Sequence, residues 1–166
     1  MQQVILIDKS IVVKATPAKL FKALTDAKEL TKWLCDRAES DPRPGGHVMN
    51  AHDEHEARGV YKRFIPKQEI AIEWEKHEHN LDLIEDLTVY RLEKTAQGTR
   101  VRVVDFSLPD EFEALSQNWT QQLKQLKKLY QTKPAAKKPA PKKKTAVKGK
   151  ATPRSKAASK SKRAKK

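Results

Sequence analysis

Cysteine is nearly missing from this chain: Cys35 is the single one in 166 residues. No intrachain disulfide can form, and an intracellular setting is the simpler reading. Long apolar runs are missing too. The N-terminus offers only Val4-Ile5-Leu6-Ile7, too short for a signal-peptide core or a membrane span. A cytoplasmic protein without a transmembrane segment follows as the reading. There is no Walker loop, no GxGxxG and no GxSxG, so the sequence predicts no cofactor. Acidic residues are absent from one whole segment: residues 132–166 hold 15 Lys and Arg and no Asp or Glu. Residues 1–131 then hold 20 basic against 21 acidic residues, a net of −1. The formal charge of +14 therefore belongs to a tail, and the body is nearly neutral. That body is long enough to bury a core.

The body is organised around one predicted helix, about residues 110 to 130. Phe112, Leu115, Trp119, Leu123, Leu126 and Tyr130 recur in steps of three and four, which places them on one stripe. Asp110 and Glu113 fit a capping box, Pro109 precedes the helix, and Lys124, Lys127 and Lys128 suit the negative end of its dipole. A stripe this wide needs a sheet to bury against. Val4 to Lys14 reads as a strand. Thr16-Pro17 opens a helix with Leu20, Phe21 and Leu24 on its buried face, and Asp26 with Glu29 caps a second that carries Leu30, Trp33 and Leu34. After the turn at Asp41 to Gly46 the period changes to two, with strands predicted near 46–52, 57–65, 69–76, 82–95 and 99–108. Gln97-Gly98 marks a hairpin. Thr88, Tyr90 and Leu92 share one strand face, and Val101, Val103 and Asp105 share another. The fold class is α+β, one sheet wrapped on one helix.

Several segments carry a family resemblance between about residues 4 and 130: Ala15-Thr16-Pro17 with Leu20 to Asp26, Leu30 and Trp33, Pro44-Gly45-Gly46, Arg58-Gly59-Val60-Tyr61, Ile70 to Trp74, Gly98 to Val101, and Trp119 with Leu123 and Leu126. In order and spacing they resemble the START-like (SRPBCC) superfamily with the helix-grip fold. The most similar branch is the one named after activators of the ninety-kilodalton heat-shock-protein ATPase. The resemblance implies a curved antiparallel sheet gripping the C-terminal helix, with a cavity between them. Members bind lipids, hormones, polyketides and other apolar molecules there, and a minority are cyclases or hydrolases. The co-chaperones of the branch carry a further N-terminal domain, which this sequence does not hold. The resemblance brings no catalytic motif that transfers residue by residue.

The expected function is a non-catalytic domain binding an apolar small molecule. An enzyme of polyketide cyclase or hydrolase type and a chaperone ATPase regulator stand as alternatives. The expected ligand-binding residues are Trp33, Trp74, Tyr90, Val103, Asp105, Leu115, Trp119 and Leu123, lining an apolar cavity touched by Trp74 and Trp119. Asp105 is the weak catalytic candidate, since a carboxylate in an apolar cavity has a raised pKa. The bland reading, an aspartate bonded to a neighbouring hydroxyl, is preferred for want of a partner acid or base. His47, His52, His55, His77 and His79 match no zinc motif and are read as solvated hairpin ends, so no metal is predicted. Cys35 lacks a cationic neighbour and a base, and is read as packing at a helix end.

The tail is expected to be disordered from residue 132 onward, because it has too little apolar surface to offset its ordering entropy. Lys137-Lys138-Pro139-Ala140-Pro141-Lys142-Lys143-Lys144, then Lys148, Lys150, Arg154 and Lys156, then Lys160-Ser161-Lys162-Arg163-Ala164-Lys165-Lys166, resemble the Lys/Ala/Pro tails of linker histones. Such a polyelectrolyte binds DNA or RNA by counterion release. No aromatic residue interleaves, so base reading is not expected. Association with the nucleoid follows, or a nuclear address if the source is eukaryotic.

Overall fold

The computed structural model describes residues 3–76 and 86–131. The predicted tail, His77, His79 and the start of the strand predicted at 82–95 lie outside them.

β1 (Ile5–Val13) leads to α1 (Pro17–Thr25) and α2 (Ala27–Leu30). Five further strands and a last hairpin strand follow: β2 (Arg37–Ser40), β3 (His47–His52), β4 (His55–Ile65), β5 (Glu69–Trp74), β6 (Leu87–Thr95) and β7 (Gly98–Ser107). The chain then enters α3 (Phe112–Gln131). The seven strands form one antiparallel sheet in the order β1-β7-β6-β5-β4-β3-β2. Every neighbour except β1–β7 is consecutive in sequence, so short turns build most of it. A register shift between Tyr61 and Arg63 bends the centre of the sheet, which curves around α3.

The local chemistry explains the boundaries. Thr16 accepts a hydrogen bond from the Lys19 amide at 3.3 Å, with Pro17 at the first helical position of α1. Asp26 ends that helix and starts α2, its carboxylate accepting from the Lys28 and Glu29 amides at 3.0 and 3.1 Å. Glu29 does not complete the predicted box; it pairs with Lys32 at 2.6 Å. The second helix is also shorter than expected. The Leu30 carbonyl accepts from Trp33, Leu34 and Cys35, so Trp33 and Leu34 sit on a tight turn. The tip of the β6–β7 hairpin needs Gly98, whose φ is +140° and where a side chain would collide with the Val13 carbonyl.

Two expectations are corrected here. β2 was not predicted: Arg-Ala-Glu-Ser has no β-branched residue, and only its pairing with β3 makes it a strand. The C-terminal helix starts at Phe112, because residues 109–111 form a turn closed by the Glu111 amide on the Leu108 carbonyl at 3.2 Å. The Asp110–Glu113 box does not form, and Glu113 accepts from Gln117 Nε2 at 2.9 Å.

The core lies between the concave sheet face and the helices. Ile7, Tyr61, Ile70, Ile72, Val101 and Val103 come from strands, Leu20 and Leu24 from α1, and Trp119, Leu123 and Leu126 from the predicted α3 stripe.

Candidate functional site

Asp105 is on the inward face of β7, between Val103 and Ser107, and is 6 % exposed. Three donors meet it. The Trp119 indole N–H donates to Oδ2 at 2.7 Å, across the helix–sheet boundary. The Phe106 amide and the Thr88 hydroxyl donate to Oδ1 at 2.9 and 3.3 Å. Behind Thr88, the Trp74 indole donates to its Oγ1 at 2.8 Å. One carboxylate thus ties β5, β6, β7 and α3 together. Burial pushes its pKa up to about 6; the Trp119 and Phe106 donors pull it down, the nearby Asp86 raises it, and Thr88 lowers it. All three first neighbours are donors, and none is a base that could pass a proton on.

Trp74 and Trp119, expected to border an apolar cavity, are therefore the donors of this network. Trp119 also meets Tyr90 edge to face, with centroids 5.8 Å apart, so side chains occupy the middle of the grip. Sequence reasoning placed Thr88 and Asp105 on facing strands but treated the tryptophans as apolar surface. The missed signal is chemical: a buried indole needs an acceptor, and Asp105 is the inward-facing carboxylate on the strand beneath the helix.

Open space lies at the side of the grip. A cleft of about 380 Å³ runs between residues 31–36 and one flank of α3. Trp33, Leu34 and Cys35 border it on one side, Asn118, Gln121, Gln122 and Gln125 on the other, with Lys32, Asp36 and His52 at its rim. Of the eight expected ligand-binding residues, Trp33 borders this cleft. Tyr90, Val103, Asp105, Trp119 and Leu123 are buried in the core, while Trp74 and Leu115 are half-buried against it. The four amides escaped the sequence reading because, at helical spacing, they read as a solvated face.

The remaining candidates separate. The Cys35 thiol is buried, its pKa raised chiefly by that burial, and its Sγ lies 3.9 Å from Asn50 Oδ1. His47, His52 and His55 sit at the ends of β3 and β4. Among the described residues no group of three or more His, Cys, Asp or Glu can hold a metal, and no helix is long and apolar enough to cross a membrane. The tail residues from Lys137 to Lys166 lie outside the described residues.

A curved antiparallel sheet closed on a single C-terminal helix is the helix-grip architecture of START-like proteins. The sequence model of the Activator of Hsp90 ATPase homolog 1-like proteins matches residues 14–131, and the chain belongs to that family. Among solved structures it is similar to the Aha1 dimer from Colwellia psychrerythraea, with 20% identity and a TM-score of 0.69 over 77% of this chain and 97% of that one. Protein CV1439 from Chromobacterium violaceum is similar at 24% identity and a TM-score of 0.65, over 76% and 97%. CalU16 from Micromonospora echinospora is similar at 19% and 0.60, over 79% and 78%. No curated protein matches the chain.

Proposed function

We propose that the body is a non-catalytic small-molecule-binding module and that the tail holds it on nucleic acid. For the body, the carrying observation is the cleft beside α3, walled by Trp33, Leu34 and Cys35. An apolar molecule entering there lies against Trp33, Leu34 and Cys35, with the α3 amides opposite. The enzyme alternative draws little from Asp105. Its raised pKa suits a general acid, but its oxygens are taken by donors and it does not border the cleft. Binding of the neutral dye N-phenyl-1-naphthylamine to the full chain, and its displacement by a second lipophile, tests the module. Absence of saturable binding overturns it.

For the tail, the support is the charge split: a net of −1 in residues 1–131 against 15 cations and no anion in 132–166. Lysines displace condensed counterions from phosphates without reading bases. If about eight cations engage a duplex at once, log K falls against log[salt] with a slope of roughly −7. Affinity is nearly equal for unrelated duplexes of one length. The measurement is a salt titration of the full chain and of residues 1–131 on one duplex. Equal binding by the shorter form, or a slope near zero for the full chain, refutes it. Membership of the family named for Hsp90 ATPase activation favours a second reading, contact with a chaperone, tested by a change in ATPase rate on adding the full chain.

A further inference from the structure

The body is nearly neutral in sum, but its charge is unevenly spread. The acids of α3 and of the turn before it, Asp110, Glu111 and Glu113, all lie at the start. Residues 114–131 hold Lys124, Lys127 and Lys128 and no Asp or Glu. Likewise α1 holds Lys19 and Lys22 and no acid. Lys14 stands between β1 and α1. Lys127 is half-buried and the other five lysines are exposed. Among the described residues none of the six pairs with a carboxylate. The negative end of the α3 dipole amounts to about half a charge, so it offsets only part of three lysines.

The fold brings these segments to one end of the body. α3 packs along β1, and its last turn reaches α1, where the Tyr130 hydroxyl donates to the Lys19 carbonyl at 3.4 Å. The link from β1 to α1 is tied down at Ala15, whose carbonyl accepts from Thr99 Oγ1 at 2.7 Å. α1 rests in turn on β4, with the Phe21 and Phe64 rings edge to face and their centroids 5.1 Å apart. The acids nearby are engaged. Asp26 caps α2, and Glu29 holds Lys32 at 2.6 Å. Glu69 holds Arg63 and Arg91 at 2.9 and 2.8 Å, and Glu93 holds Arg100 at 2.9 Å. A polyanion approaching here meets lysines whose charge is not compensated. The chain also continues from this end: α3 closes at Gln131, and the segment with 15 cations and no anion follows directly in sequence.

We propose that α1 and the last two turns of α3 form a phosphate-docking face, on which the body itself meets the nucleic acid that the tail captures. Lys124 and Lys128 stand about 6 Å apart along the helix axis, on one side of α3. Lys19 and Lys22 add their charge from α1. Lysines meet phosphates as point charges on long stems, so the face positions the body and reads no bases. The consequence is orientation: the duplex lies against one end of the domain. This rests on the nucleic-acid reading of the tail and adds a surface to it.

The test is an anisotropy titration of a fluorescein-labelled DNA duplex with the full chain, repeated over a salt series. Three double variants of the full chain each remove two positive charges. Lys124→Gln with Lys128→Gln probes α3, and Lys19→Gln with Lys22→Gln probes α1. Arg37→Gln with Arg58→Gln, on β2 and β4, is the control. Each lysine pair flattens the slope of log K against log[salt] by about 2, at about 0.9 per lost phosphate contact, and lowers affinity roughly tenfold or more at about 0.1 M salt. The control pair leaves slope and affinity as in the wild type. Thermal midpoints stay near the wild-type value, since the exposed lysines make no ion pair and an exposed arginine pair contributes little. An unchanged slope in either lysine pair overturns the face and leaves the tail reading standing. Equal losses in all three variants show that net charge alone sets the affinity, and overturn it as well. A wild-type chain that ignores the duplex overturns both readings. The same proteins are added to phosphatidylserine vesicles: a loss there without a loss on the duplex marks a membrane surface, and overturns the proposal.

Discussion

Raising the pH should weaken this domain through Asp105. The folded-state pKa is about 6 against an ordinary value of 3.8, so folding favours the protonated acid. A raised folded pKa gives stability that is fully present below the unfolded value and is lost as pH rises through the folded one. At about 1.36 kcal/mol per pKa unit, the full span is about 3 kcal/mol. Most of the experimentally useful change falls between pH 7 and pH 4. Linkage gives about 1.3 kcal/mol gained from pH 7 to 5, and about 2.4 kcal/mol by pH 4. Other carboxylates act oppositely; the exposed Asp8, its pKa lowered by its bond to Arg102, is one. The wild type must therefore be compared with Asp105→Asn, in which this group cannot titrate. The assay is urea unfolding followed by tryptophan fluorescence at pH 5, 6, 7 and 8. With a slope of about 2 kcal/mol per molar urea, the wild-type midpoint gains roughly 0.6 M on the variant between pH 7 and 5. A difference between the two proteins that stays flat with pH would show that Asp105 is ionised throughout, and that the three donors outweigh burial.

Trp119→Phe keeps an aromatic ring against Tyr90 but removes the indole donor to Asp105 Oδ2. It should cost about 1–3 kcal/mol at pH 8 and less at pH 5, where the acid is protonated, as read by the same unfolding series. Gly98→Ala should lower stability by more than about 1 kcal/mol in thermal unfolding, since the new methyl meets the Val13 carbonyl at a φ of +140°.

How much of this was legible in the chain depends on the distance over which each feature is decided. The α3 stripe could be read because a helix repeats every 3.6 residues whatever it packs against; Trp119, Leu123 and Leu126 are buried as their spacing requires. The inward faces of β6 and β7 followed from a period of two, and put Thr88, Tyr90, Val101, Val103 and Asp105 inside. The charge of residues 132–166 is a matter of composition alone. What the indoles do was decided elsewhere. Trp74, Thr88, Asp105 and Trp119 lie on four different elements, and their hydrogen bonds exist because the sheet order sets β5, β6 and β7 side by side under α3. The same holds for β2, a strand by virtue of β3, and for the amides of Asn118, Gln121, Gln122 and Gln125, a solvated helix face until residues 31–36 close one side of it. Periodicity is a local property and fixes which face of an element is apolar. Which polar group on that face meets a donor is fixed by how distant elements cross.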